Sequence, residues 1–166
     1  MTMRIQVKKV NKDGQVPLKA HKTDAGFDVF AAEDIRILPG ERHKLGSGIA
    51  IDVPAGWEIE IRGRSGLNGN TGLHVANGTV DAGYQGEIIL ILKNTNPEYD
   101  GSSVDITDKQ DLKDNATNYK ATYHIKKGSR VAQLLFHKVE DIELYLVDEF
   151  DGTTERGNKG FGSTGV

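Results

Sequence analysis

An all-β fold of sandwich or barrel type follows from three features of the sequence. Short runs rich in Val and Ile alternate with polar residues. Turn signals such as Pro39-Gly40, Pro54-Ala55-Gly56 and Lys127-Gly128 separate them. The chain also carries 20 glycines and only 2 methionines, a composition that suits many tight reversals better than long helices. Its 166 residues fit a single domain, 1–166, large enough to bury most of its apolar surface.

Ile5, Val7 and Val10 give a first strand within Arg4 to Val10. After Gly26, Phe27-Asp28-Val29 alternates so that Asp28 lies on the face opposite the core, as a solvated strand carboxylate. Ile35 with Ile37, then Ile49, Ile51 and Val53, then Trp57, Ile59 and Ile61 make short antiparallel strands. The last runs into Arg62-Gly-Arg-Ser-Gly-Leu67. Asn68, Gly69 and Asn70 are poor helix formers, so any helix here is short. Asn77-Gly78 predicts a type I′ hairpin, because both residues tolerate positive φ. Ile88 to Leu92 is apolar throughout, which predicts a strand covered on both faces or set at an oligomer axis. From Lys93 to Lys120 the alternation dissolves into an irregular connection, uncommonly long for a compact domain. Tyr119, Ala121, Tyr123 and Ile125 restore it; Arg130 to Phe136 reads as a core strand, and Ile142, Leu144 and Leu146 as a last one ending at Val147.

Composition excludes several functions. With no Cys there is neither a disulfide framework nor a thiolate metal site. The 5 His show no HxH or HxxxH pairing. A formal net charge of −3 disfavours direct binding to nucleic acid, so any bound anion depends on a local cluster of Arg, Lys and backbone N–H groups. No apolar run is long enough to span a membrane, and the polar start Met-Thr-Met-Arg-Ile-Gln-Val is unlike a signal peptide; a cytoplasmic protein is expected.

Three stretches have anion-binding or catalytic chemistry. Arg64, Ser65 and Gly66 at a strand end can converge a guanidinium, a hydroxyl and backbone N–H groups on phosphate oxygens. Asp81 and Tyr84 sit on the arm leaving the predicted hairpin, with Gly83 and Gly86 uncovering the backbone on either side of the tyrosine. An Asp in this setting ordinarily hydrogen-bonds its own backbone. In the tail, Arg156, Lys159, Phe161, Ser163 and Thr164 are interleaved with glycines, as a closing phosphate clamp with a stacking ring requires. A terminal Gly-rich end is also the commonest form of disorder. Gln133, an uncharged polar residue in an apolar strand, is either a satisfied core amide or a ligand contact.

Five segments, Lys22–Ala32, Arg62–Leu67, Asn77–Glu87, Arg130–Phe136 and Arg156–Gly165, together resemble the five ordered motifs of the trimeric dUTPases. The resemblance implies a β jelly roll, a homotrimer, and hydrolysis of dUTP to dUMP and pyrophosphate. It implies that Asp81 activates the attacking water, that Tyr84 packs on the deoxyribose, and that Asp28 holds waters on a substrate-bound Mg²⁺. Arg64, Ser65, Gly66 and Gln133 would contact the phosphate chain. Backbone groups of Gly78, Thr79 and Val80, with Asn77, would match the uracil edge. Phe161 would stack on uracil and Arg156, Gly162, Ser163 and Thr164 would close on the γ-phosphate, on a mobile arm (151–166) that in the family covers a neighbouring subunit's site. Gly63 departs from the family pattern, where proline is common, and Gln85 stands where many members have Arg. The segment 94–120 is longer than usual and resembles that of phage-encoded members, a group that binds a repressor of mobile pathogenicity islands. Its Tyr99, Val104, Ile106, Leu112 and Tyr119 predict a surface excursion that serves a regulatory protein partner. Two other readings are a dCTP deaminase of the same fold and a regulatory binding protein, with or without activity.

Overall fold

The computed structural model describes residues 2–107 and 121–158. Among these residues, twelve strands and one short helix occur in the order β1 (Val7–Lys9), β2 (Phe27–Phe30), β3 (Ile35–Ile37), β4 (Arg42–Gly46), β5 (Ile49–Ile51), β6 (Trp57–Gly63), α1 (Ser65–Asn70), β7 (Leu73–Val75), β8 (Gly78–Val80), β9 (Ile89–Asn94), β10 (Ser103–Ile106), β11 (Thr122–Ile125) and β12 (Arg130–Lys138). The fold is the all-β jelly roll. Its sheets have the orders β2-β12-β6-β8, β4-β9-β7, β10-β11-β3 and β1-β5. All contribute to one buried cluster, to which Ile59, Ile61 and Leu134 come from the first sheet, Leu45, Leu90 and Leu92 from the second, and Ile37, Ile106 and Ile125 from the third.

The strands read at 35–37, 49–51, 57–61 and 130–136 are present, with clear period-two burial in β3 and β6, and Gly40, Gly56 and Gly128 stand at positive φ in the turns foreseen for them. Four expectations need correction. The first is the hairpin at Asn77-Gly78, where neither residue has positive φ. Strand β7 pairs with β9 whereas β8 pairs with β6, so the chain passes from one sheet to another at this point and does not double back. The reversal lies five residues later, where the Tyr84 N–H donates to the Asp81 carbonyl (3.2 Å) and Gly83 has φ +83°, the type II signature.

The second correction concerns the irregular segment. Inside it lies β10, whose Val104 and Ile106 are buried, so these two residues are core and not an exposed interface. Strand β10 pairs in parallel with β11. A parallel pair cannot be closed by a tight turn, which gives the long connection between them a topological reason. Leu112 and Tyr119 lie outside the described residues.

Third, Ile142, Leu144 and Leu146 form no strand: residues 139–158 contain none, and these three side chains are 73, 92 and 98% exposed. A period-two pattern makes a strand only where a sheet edge is free to receive it. Fourth, β9 is not buried between two sheets of one chain: Leu90 and Leu92, with Ile88 just before the strand, are buried, whereas Ile89 and Ile91 stand out at 38 and 36% exposure, which leaves the oligomer axis as the alternative. The strand from Arg4 to Val10 shortens to β1, and β4, which the sequence reading passed over, supplies only Leu45 to the core.

Candidate active site

Sheet β2-β12-β6-β8 aligns the residues that lie far apart in sequence. Gln133 of β12 faces Asp28 of β2 on one side and Arg62 of β6 on the other, so all three project to the same face. Asp28 is 5% exposed, which corrects its placement on a solvated face. It is held by charge: Arg64 Nε lies 3.1 Å from Oδ1 and Arg130 Nη1 lies 3.3 Å from Oδ2. Arg64 Nη1 also donates to the Arg130 carbonyl (3.0 Å), closing a three-residue unit. A buried carboxylate requires such partners, and here Arg130 comes from the neighbouring strand β12 and Arg64 from just past the end of β6, the next strand over. The Asp28 Oδ1 to Arg64 Nε approach is close but lacks hydrogen-bond alignment, which leaves Oδ1 a buried acceptor with no aligned donor. Gln133 is partly exposed, with its side chain lying over Gly26, so it is not the fully buried core amide that had to be weighed.

Arg64 is the N-cap residue of α1 and makes no side-chain cap; Ser65 and Gly66 open the first turn, both exposed, and Gly66 has open space around it. Their backbone N–H groups have no intrahelical acceptor, as at any helix start. Gly63, the departure from the family pattern, is explained by Asn68, whose amide fills the space a Cβ would take.

A second group lies around β8. This strand is the edge of its sheet, so part of its backbone faces outward and can be read by a ligand. A cleft of about 280 Å³ runs along it, lined by Gly78, Thr79, Val80, Asp81 and Tyr84, with Ile61 of β6 and residues of the 87–91 segment. Asp81 and Asn77 are exposed, and the Tyr84 hydroxyl donates to the Glu87 carbonyl (3.1 Å). The Tyr84 ring occupies the space above Gly86, so this glycine admits the ring itself and not a ligand. Gln85 is exposed, as expected, and donates to Asp52 (3.1 Å).

The two groups do not meet within one chain. Ile59 pairs with Val80, so Asp81 follows at the level of Glu58, while Arg64 lies beyond the opposite end of β6. At the rise of an extended strand the separation is about 20 Å. Arg156 is exposed on the segment after β12, and Phe161, Gly162, Ser163 and Thr164 lie outside the described residues.

Sequence reasoning did not assign Arg130, the residue that completes the Asp28 cage; its position opposite Phe30 at the start of β12 gave no signal short of the strand register. Nearby, Glu60 is held below the usual carboxylate range, chiefly by the Arg62 hydrogen bond, with burial opposing and the charges of Arg62 and His137 assisting. Arg62 is correspondingly raised by Glu60. Arg62 stands at the margin of the Asp28 cluster, opposite Gln133, and its pairing with Glu60 lies toward solvent. Among the described residues no group of three or more His, Cys, Asp or Glu is placed to hold a metal, and no helix is long and apolar enough to cross a membrane.

The dUTPase family model matches residues 12–107 and 113–165. The chain belongs to the dUTPase family. This dUTPase is 41% identical to the deoxyuridine 5'-triphosphate nucleotidohydrolase of Thermobifida fusca, over 99% of the chain and 80% of the relative. Its structure resembles that of the Staphylococcus bacteriophage 80alpha dUTPase with dUpNHpp (TM-score 0.84, 35% identity, 99% of this chain and 100% of that one), a protein described as controlling transfer of virulence genes by a proto-oncogenic G protein-like mechanism. It also resembles a mutant dUTPase of phage phi11 of S. aureus, described as coordinating a structural Mg(II) ion (TM-score 0.79, 30% identity, 90% and 100%). As a member of this family the enzyme is a dUTP nucleotidohydrolase, which decides against the deaminase and against a binding protein without activity.

Proposed function

We propose that this dUTPase hydrolyses dUTP by attack of an Asp81-activated water on the α-phosphate, at sites assembled between the chains of a cytoplasmic homotrimer. The observation that carries the reading is the separation of the Asp81 cleft from the Asp28–Arg64–Gln133 cluster along β6, since neither half can complete the reaction alone. A second copy brings one half against the other. The exposed Ile89 and Ile91 of β9, and Ile142, Leu144 and Leu146 after β12, are apolar surface that such an assembly would cover.

In the cleft, the outward backbone of β8 at Gly78 to Val80, with Asn77 beside it, reads the uracil edge, and Tyr84 supports the sugar. Asp81 at its rim accepts the water's proton. A carboxylate is a weak base, so most of the acceleration comes from in-line positioning and charge neutralisation. Arg64, with the hydroxyl of Ser65 and the free N–H groups of Ser65 and Gly66, receives the phosphate chain, and Gln133 orders it from the sheet face. Arg156, Gly162, Ser163 and Thr164 close on the γ-phosphate as Phe161 stacks on the base. Mg²⁺ fits this design in one way. An ion that keeps several waters and takes substrate phosphates as ligands needs only one or two carboxylates, and Asp28, whose buried Oδ1 has no aligned donor within the chain, is the carboxylate that would hold such a water. Bound there, it would neutralise phosphate charge.

Complementation tests the assembly. Asp81→Asn and Arg64→Ala are each expected to be inactive; unfolded together and refolded as mixed trimers, they should release pyrophosphate from dUTP, because some sites then contain both native residues. No recovery in confirmed mixed trimers would place both residues in one chain's site. Controls with dTTP, dCTP and UTP should give no comparable release.

The connection from 107 to 121, together with the exposed Tyr99, is proposed to bind a regulatory protein, in line with the role described for the 80alpha relative. The expectation is narrower than the sequence suggested, since Val104 and Ile106 belong to the core. Replacing 108–120 alone by a flexible linker should leave dUTP hydrolysis intact and abolish binding to a repressor-type partner; retained binding would remove the segment from that role.

A further inference from the structure

Helix α1 has little to hold it in place by itself. Its six residues, Ser-Gly-Leu-Asn-Gly-Asn, include two glycines and two asparagines, and it has no side-chain N-cap, no acid in its first turn and no base in its last. A helix this short and of this composition is not stable on propensity. Yet it begins at Ser65, directly after Arg64, so its placement decides where those two groups stand.

Leu67 anchors its middle in the core, and the rest of the placement comes from its exit. Thr71 Oγ1 donates to the Leu67 carbonyl (2.7 Å) and accepts from the Leu73 N–H (3.0 Å), joining the helix end to β7. Gly72 follows, and both of its polar groups are taken. Its N–H donates to the Tyr123 hydroxyl (2.7 Å), and its carbonyl accepts from the Thr95 N–H (2.8 Å) and Thr95 Oγ1 (2.9 Å). Tyr123 is 2% exposed and is itself fixed: Asn96 Nδ2 donates to its hydroxyl (3.2 Å) and to the Ala121 carbonyl (3.0 Å). Asn96 lies against Gly72 so closely that a Cβ there would collide with its amide, so the glycine is required by space.

We infer that Tyr123 is a positioning residue for phosphate binding: through Gly72 its buried hydroxyl fixes the C-terminal end of α1, and thereby Arg64 and Ser65. The inference rests on the reading of Arg64 and Ser65 as phosphate contacts. It has a corollary in the fold. Asn96 and Ala121 flank the excursion that contains β10, so the root of that segment and the phosphate-binding helix share one hydrogen-bond network.

The test is Tyr123→Phe, which deletes the acceptor and keeps the ring. Affinity for dUpNHpp should fall roughly tenfold, the scale of leaving one buried donor unsatisfied. The KM for dUTP should rise in parallel, while affinity for deoxyuridine, which reaches only the β8 cleft, should not change. Hydrogen exchange of the backbone amides from Ser65 to Gly72 should speed up without a matching change in β6 or β9. Should Tyr123→Phe not fold, Thr95→Val acts on the same glycine from an exposed position and should give the same pattern at smaller amplitude. Equal losses for dUpNHpp and deoxyuridine, or unchanged exchange in α1, would overturn the inference. If the unaltered enzyme showed no preference for dUpNHpp over deoxyuridine, the phosphate assignment would fall instead, and exchange would still decide whether Tyr123 holds α1.

Discussion

Asp81→Asn is expected to reduce the rate of dUTP hydrolysis by about 100-fold or more, the usual cost of losing a general base, while dUpNHpp still binds. The amide keeps the shape of the side chain but cannot take the water's proton. Asp81 is exposed at the end of β8 and contributes nothing to the buried cluster, so the variant should unfold at the same temperature as the parent. The effect would therefore fall on kcat and leave binding and stability alone, a split that distinguishes a base from a structural residue. A variant retaining a tenth of the parental rate would remove Asp81 from this role.

Removal of residues 156–166 should have an effect of comparable size for a different reason. Strand β12 ends at Lys138 and the described residues after it contain no strand, so the truncated chain loses nothing from the sheets and should keep its melting temperature and oligomeric state. Arg156 and the clamp residues that follow leave with the deletion, and loss of a preorganised charge-stabilising donor commonly costs ~10²–10³ in kcat. Hydrolysis at the parental rate by the truncated enzyme would show that the arm takes no part in catalysis.

The strands with a clear alternation of large apolar residues were legible directly: Ile35 with Ile37, Ile59 with Ile61, and the β12 segment face inward because one side of each is buried. So were the five motifs, whose residue types state a chemistry before any contact is known. What failed has a common cause, which is that a partner distant in the chain overrode a local signal. Asn77-Gly78 has hairpin chemistry, but Val75 and Val80 flank it in strands whose neighbours are β9 and β6, and those partners draw the chain across from one sheet to the other. The alternation around Asp28 reads as a carboxylate facing water; only the sheet order, which places Arg64 and Arg130 beside it, makes burial affordable. The pattern at Ile142, Leu144 and Leu146 marks a surface to be covered, yet it cannot say by what, and no strand forms there in the described chain. The sequence by itself thus determined most of the core strands and the family. The tertiary structure decided which strands are neighbours, and with that the caging of Asp28 and the separation of Asp81 from Arg64. Pairing depends on contacts between residues far apart in the chain, and side-chain periodicity records a buried face without naming what buries it.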